Sequence, residues 1–255
     1  MDTPKRIAFL GGKKIGFSSL NYLLENKNQL GIELVCVFEN TSSKLNPADN
    51  TVSSLAFKHG INLHSEIDDL LEYSDIDFIL SVQYDKILQA NHISKATELA
   101  VNLHMAPLPE YRGCNQFSFA IIDEAEVFGT TLHRLEEGID SGDILFEKRF
   151  PIPKECFVTD LYGKTLVASA ELFEESIENL LKGNYKLTSQ KSLVEKRRAG
   201  FHLRSEVNQI KEIDGSWSVE KQKRHFRATW FPPFSPPVLL QGNKPLDLNW
   251  YNNLL

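Results

Sequence analysis

Apolar residues arrive in two rhythms along the chain. Some form short, nearly unbroken runs: Lys5–Leu10, Leu34–Phe38, Ile76–Val82 and Ala100–His104. Such runs suit strands of a parallel sheet buried on both faces. Others recur at helical spacing. Phe17, Leu20, Leu23 and Leu24 follow the Gly11-Gly12 break, and Ser53–His59 and Ile67–Tyr73 also read as helices. Strands alternating with helices predict an α/β fold built on an open parallel sheet with helices on both faces.

Past His104 the pattern changes. Cys114–Ala125 reads as a helix, and Gly129–Leu135 and Ile144–Phe150 as strands joined by a loop holding Gly138, Asp140 and Gly142. Phe157–Lys182 reads as a long amphipathic helix, its apolar Leu166, Ala170, Phe173, Ile177 and Leu180 spaced alternately four and three apart. Phe128 and Phe157 bracket this stretch as core residues. A charge shift then marks a second unit. From Lys182 to Trp230 there are twelve Lys/Arg against five Asp/Glu, which leaves about −13 on the rest of a chain whose net charge is −6. The boundary is placed between 183 and 184: residues 1–183 form the main domain and 184–255 a small α+β subdomain. That subdomain is expected to hold a helix at Ser218–Arg227, a Pro-rich crossing from Phe231 to Pro237, and β structure from Val238 on.

The 255 residues are 42% hydrophobic and 24% charged, ordinary values for a folded globular chain. The acidic balance argues against a nucleic-acid partner. No apolar run is long enough to cross a bilayer. Ile7–Leu10 runs straight into Gly-Gly-Lys-Lys, a strand and turn and not a leader peptide. Cys36, Cys114 and Cys156 are odd in number and scattered, with neither a disulfide framework nor zinc spacing, so no metal is expected and a reducing cytoplasm is the expected home.

Four segments could carry chemistry. Gly11–Gly16 sits where helix N-terminal amides could meet an anion, with Gly12 and Lys13 foremost, yet it matches neither glycine-rich nucleotide fingerprint. An ordinary strand–helix turn with solvated lysines reads equally well. Asn102 and His104 lie two apart on a strand and so share a face, at the carboxyl end where open α/β sheets place ligands. A polar pair there would cost a few kcal/mol if left without partners. The acidic loop Glu136–Asp143 could supply a carboxylate to orient His104 or move protons; read alone, it is a solvated turn. The segment Met105–Gly113 carries two prolines expected to hold it extended.

Together two of these stretches carry a resemblance. Asn102-Leu-His104-x-x-Pro-Leu-Pro-x-Tyr-Arg-Gly113, followed by Gly129-Thr-Thr-Leu-His-Arg-Leu-Glu-Glu-Gly-Ile-Asp140-Ser-Gly-Asp143, closely resembles the folate-dependent formyltransferases. That family includes glycinamide ribonucleotide, methionyl-tRNA and nucleotide-sugar N-formyltransferases. The resemblance runs over roughly residues 5–180. It implies a Rossmann-like core, N10-formyltetrahydrofolate as formyl donor, and Asn102, His104 and Asp140 as the catalytic set. Asn102 and His104 would donate to the oxyanion formed when an amine attacks the formyl carbon, and Asp140 would orient the imidazole and help take the amine's proton. By position the resemblance puts the pterin against Lys86, Leu88, Leu135, Glu136 and Gly138, and the acceptor near Gly12, Lys13, Gln83 and Tyr84. Met105-Ala106 departs from the pattern that many members show after the histidine. His133 is expected to face outward or to be hydrogen-bonded within its strand.

About 70 residues follow Lys182, more than glycinamide ribonucleotide enzymes resemble. Ile213–Ser218 and Arg227–Phe234 look like the second domain of nucleotide-sugar N-formyltransferases. Trp217, Phe231 and Phe234 would either stack on a base or pack against the core or a dimer partner. The resemblance therefore points to a nucleotide-linked amino-dideoxy sugar as acceptor, first dTDP-4-amino-4,6-dideoxyglucose or its 3-amino analogue, then GDP-perosamine or a UDP-linked amino sugar. Such products feed lipopolysaccharide O-antigen or other surface glycans. A homodimer joined through the second unit follows from the same resemblance. Formyl transfer to methionyl-tRNA, a formyl-folate hydrolase and a non-catalytic nucleotide binder are the competing readings.

Overall fold

A computed structural model describes residues 3–39 and 50–254. The apolar runs become the main sheet: β1 (Lys5–Gly11), β2 (Ile32–Phe38), β3 (Leu63–His64), β4 (Ile76–Val82) and β5 (Ala96–His104), then, past the isolated pair β6 (Arg112–Gly113), β7 (Val127–Arg134) and β8 (Ile144–Pro151). The order is β3-β2-β1-β4-β5-β7-β8. β1 to β5 run parallel, as their double-sided burial predicts, while β7 and β8 are antiparallel. The strand order reverses between β1 and β4, and open α/β sheets bind ligands outside the carboxyl ends at such a reversal.

Helix α1 (Lys13–Leu30) and helix α5 (Val158–Leu181) cover one face of the sheet, with α2 (Val52–Lys58) beside them. Leu20, Leu23, Phe173 and Ile177 meet Phe9, Phe78 and Val101 there. α1 can lie this close because Gly16 has no side chain: a Cβ would sit 3.3 Å from the Val82 carbonyl oxygen and 3.2 Å from the Gly11 carbonyl carbon. The other face is covered by a 3₁₀ turn (Ile67–Glu72) and by α3 (Ala90–Ile93), around Leu70, Ile79 and Leu88.

Several boundaries differ from expectation. Residues 67–72 form a 3₁₀ turn and not an α-helix. α4 covers only Gln116–Ile122, because Asn115 sits at φ 57, outside helical geometry. The Met105–Tyr111 segment doubles back, closed by Tyr111 N–H on the Pro107 carbonyl at 3.1 Å; its Leu108–Pro109 peptide is cis.

Beyond α5 the chain forms α6 (Gln190–Leu193), β9 (Phe201–His202), α7 (Val207–Lys211), β10 (Glu212–Ile213), α8 (Val219–Thr229), β11 (Val238–Leu239), β12 (Lys244–Pro245) and α9 (Leu248–Asn252). β9 pairs with β6, and β10 to β12 form a small sheet. The region past Val238, for which the sequence predicts β structure, thus ends in a helix, capped by Asp247 accepting from the Trp250 N–H. Phe226 is fully buried in a separate core, ringed by Phe157, Trp230, Trp250 and Tyr251. Trp217 packs against this core and Phe231 against Tyr162, whereas Phe234 is 67% exposed. Phe128 is fully buried, as expected.

Candidate active site

Asn102 and His104 project from one face of β5, as strand alternation requires. Asn102 is flanked in the ladder by Ser81 of β4 and by His133 of β7. These neighbours fix its amide. The Ser81 hydroxyl donates to Asn102 Oδ1 at 3.0 Å, which turns Nδ2 toward His133 Nε2 at 3.1 Å and Asp140 Oδ1 at 3.5 Å. His133 Nδ1 lies 2.9 Å from the Arg134 carbonyl oxygen. A carbonyl only accepts, so Nδ1 carries the hydrogen, and Nε2 of the neutral ring accepts from Asn102. His133 does not face outward: it is 1% exposed, because β7 lies between β5 and β8 and is buried on both faces.

His104 is held in the same way. Its Nε2 donates to the Tyr111 carbonyl at 2.7 Å, which leaves Nδ1 facing Asp140 Oδ1 at 3.5 Å. His133 Nε2 is also 3.5 Å from that oxygen. Asn102, His104 and His133 therefore converge on one carboxylate oxygen. The second oxygen, Asp140 Oδ2, accepts the Gly113 N–H at 2.9 Å. Burial alone would push the Asp140 carboxyl up, but His104 and the Gly113 N–H hold it well below the usual carboxylate range. Asp140 stays ionised and provides a buried counter-charge for an imidazolium at His104. Its backbone is at φ 50, a conformation that non-glycine residues rarely adopt.

A cleft of about 590 Å³ opens nearby, lined by Ala90, Ile93, Leu99, Ala100, Leu135 and Glu136 among others. Of the residues expected at the pterin, Leu135 and Glu136 line this cleft. Leu88 is buried in the cluster that Tyr84 and Leu135 pack against, and Gly138 turns the loop at φ 117. Lys86 is tied to the Ser65 carbonyl at 2.6 Å and to Glu66 at 3.1 Å. On the acceptor side, Lys13 Nζ donates to Gln83 Oε1 at 3.0 Å, and the Gly12 N–H donates to the Val82 carbonyl. These contacts bridge the reversal between β1 and β4. Among the described residues no group of three or more His, Cys, Asp or Glu side chains could hold a metal ion, and no helix is long and apolar enough to cross a membrane.

Sequence reasoning missed Ser81, His133 and the Tyr111 carbonyl. The one signal available was that a strand buried on both faces would turn a histidine inward.

GDP-perosamine N-formyltransferase of Brucella melitensis is 30% identical over 165 residues, 65% of this chain and 61% of that protein. Methionyl-tRNA formyltransferase of Finegoldia magna is 26% identical over 185 residues, 69% of this chain and 59% of that protein. The chain thus spans about three fifths of the length of these relatives. A sugar 3N-formyl transferase, solved in the presence of dTDP and 5-N-formyl-THF, superimposes with a TM-score of 0.78 at 23% identity, covering 94% of this chain and 84% of that one, and so shares the fold. The pattern of the family described as Formyl transferase matches residues 5–177 and takes in Asn102, His104 and Asp140. The chain belongs to the formyl transferase family.

Proposed function

We propose that the chain is an N-formyltransferase that moves a formyl group from N10-formyltetrahydrofolate to the amine of a nucleotide-linked amino-dideoxy sugar. One observation carries the reading: Asn102 and His104, at the carboxyl end of the interior strand β5, converge on the ionised Asp140, and a cleft lined by Ala100 and Leu135 lies further back along the same strand. The apolar walls of that cleft, Ile93, Leu99 and Leu135, suit a flat heteroaromatic ring, and the backbone of 135–137 offers polar edges. When bound there, the folate supplies an activated formyl group. Asn102 Nδ2 gives one hydrogen to His133, and its second, aimed at Asp140 Oδ1 over a long 3.5 Å, turns to the formyl oxygen as charge develops on it; such a preorganised donor is worth about 3 kcal/mol. Protonated His104 adds positive charge at Nδ1, fixed there because Nε2 is spent on Tyr111. Asp140 binds protons weakly, so it acts as counter-charge and transient relay. The amine gives up one proton, the new C–N bond forms, the C–N10 bond breaks, and N10 takes the proton.

For the acceptor, Lys13 in the first turn of α1 suits a pyrophosphate. Our leading acceptors are dTDP-4-amino-4,6-dideoxyglucose and its 3-amino analogue, for surface-glycan synthesis in the cytoplasm. The Brucella relative favours a second reading, GDP-perosamine. Residues 184–255 are read as a unit for acceptor binding and homodimerisation. The test is a mass-spectrometric screen of purified protein and N10-formyltetrahydrofolate against dTDP-, GDP- and UDP-linked amino sugars. The expected result is one sugar nucleotide heavier by a formyl group. Formate release with no sugar product would replace the reading with a hydrolase, and neither product would remove the enzymatic reading.

A further inference from the structure

We infer that Gln190 is a positioning residue for catalysis: its amide clamps the loop that carries Asp140. The inference rests on the formyl-transfer reading for its role in turnover, though the clamp itself is geometric. Gln190 lies outside residues 5–177, yet it reaches back into the site. Its Nε2 donates to the Asp140 carbonyl at 2.8 Å and to the Gly142 carbonyl at 2.7 Å. One amide nitrogen has two hydrogens, and both are spent on the same three-residue turn. The flipped amide would set Oε1 against two carbonyl oxygens, so the orientation is determined. Oε1 itself is buried with no partner among the described residues. An unpaired buried oxygen is costly, so a side chain kept at 5% exposure in this state is held there by its nitrogen.

The chain reaches this position by pairing. Thr188 and Ile144 exchange both backbone hydrogen bonds at 2.9 Å, which anchors 188 to the first residue of β8 and brings Gln190 over the loop. The opposite wall of the carboxylate is braced by the same C-terminal segment. β9 pairs with β6, the Gly200 carbonyl accepts the Arg112 N–H, and the His202 carbonyl accepts the Cys114 N–H. β6 ends in Gly113, the donor to Asp140 Oδ2. Without Gln190, the carbonyls of Asp140 and Gly142 lose their donor, and Asp140 at φ 50 is left to its side-chain contacts with the Gly113 N–H and Asn102 Nδ2 and to the Arg134 N–H on the Asp143 carbonyl.

The test compares Gln190→Met, similar in volume but without donors, with Gln190→Asn, which keeps the amide on a shorter stem. Each full-length variant is assayed for kcat, KM and the pH dependence of kcat, and its histidine ring signals are followed by NMR through a pH titration. Displacing a catalytic group by about 1 Å costs on the order of 100-fold. Gln190→Met is therefore expected to lose ~10- to 100-fold in kcat with KM for the sugar nucleotide little changed, and its His104 ring signals to move away from their wild-type positions. Gln190→Asn should recover part of the kcat. A drop in melting temperature with kcat, pH profile and histidine signals unmoved would overturn the clamp. If Gln190→Met fails to fold, Gln190→Asn alone decides: wild-type kcat and histidine signals in it overturn the proposal, and a kcat loss with displaced His104 ring signals supports it. If the wild type transfers no formyl group, the functional reading fails by itself, and the histidine ring signals still decide the clamp.

Discussion

Replacing Ser81 by alanine removes a single hydroxyl from behind the catalytic amide. Ser81 is 5% exposed and its hydroxyl donates to Asn102 Oδ1 at 3.0 Å. In Ser81→Ala that oxygen is buried without a donor, a cost of ~1–3 kcal/mol. The usual escape, rotating the amide by half a turn, is closed. It would point Oδ1 at His133 Nε2, a lone pair because Nδ1–H is spent on the Arg134 carbonyl, and at the carboxylate of Asp140. The penalty therefore stays near the middle of that range, ~2 kcal/mol, which for a chain of this size lowers the melting temperature by ~4–8 °C. Turnover falls as well, because an amide no longer fixed from behind presents its hydrogen less well; a loss of ~1.4 kcal/mol in the transition state is tenfold in kcat. Scanning calorimetry and steady-state kinetics on Ser81→Ala, Asn102→Ala and the double variant form a thermodynamic cycle. If the hydroxyl acts through Asn102, Ser81→Ala costs little once Asn102 is gone, a coupling of about 1 kcal/mol or more. Additive effects, or a single variant within about twofold of wild-type kcat, would refute the reasoning.

Other outcomes rest on the same contacts. Asn102→Ala and His104→Asn should each lower kcat by ~100-fold or more while a fluorescent nucleotide-sugar analogue still binds, and near-normal turnover in both would sink the assigned mechanism. Phe226→Ala empties a fully buried site among four aromatic rings and should cost ~3–5 kcal/mol, seen as an early loss of tryptophan fluorescence on urea titration. Asp140 binds protons more weakly folded than unfolded, so its stabilisation is complete above the unfolded value of about 4 and drains away as pH falls below it toward the depressed folded value. Asp140→Asn should be less stable than wild type at neutral pH, and the gap between them should shrink in urea melts as the pH falls below ~4; a constant gap would contradict this.

The shared face of Asn102 and His104, the proposed catalytic pair, was legible because it depends on one strand. Asn102 and His104 are two apart, and the alternation of a strand puts them on one side whatever else the fold does. The glycines around Asp140 marked its loop for a similar local reason. Ser81, His133 and Gln190 were not legible, since each meets the site only through pairing with a distant segment: β4 with β5, β5 with β7, and Thr188 with Ile144. Register of that kind has no local signature. The parallel half of the sheet was readable from its unbroken apolar runs, whereas α9 is only five residues long, too short to show a helical period, and its one cue was Asp247 as a cap. The extended course expected for residues 105–113 failed because proline restricts φ without dictating direction, and the Tyr111–Pro107 hydrogen bond decided it.

Ser81, Asn102 and His133 are ladder neighbours on three adjacent strands, so their spacing is the ~4.8 Å repeat of a sheet. No loop sequence can stretch that dimension. An insertion after β1 or β4 changes what the crevice admits and leaves the hydrogen-bonded row as it was, whereas one within the 105–111 turn also displaces the Tyr111 carbonyl that holds His104. A one-residue deletion inside Val127–Arg134 is different in kind, because it swings His133 to the other side of the sheet. Under the proposed function, laboratory libraries that vary the loops after β1 and β4 are thus searches over acceptors at constant chemistry, while those that vary strand length are expected to lose the reaction before any acceptor is met.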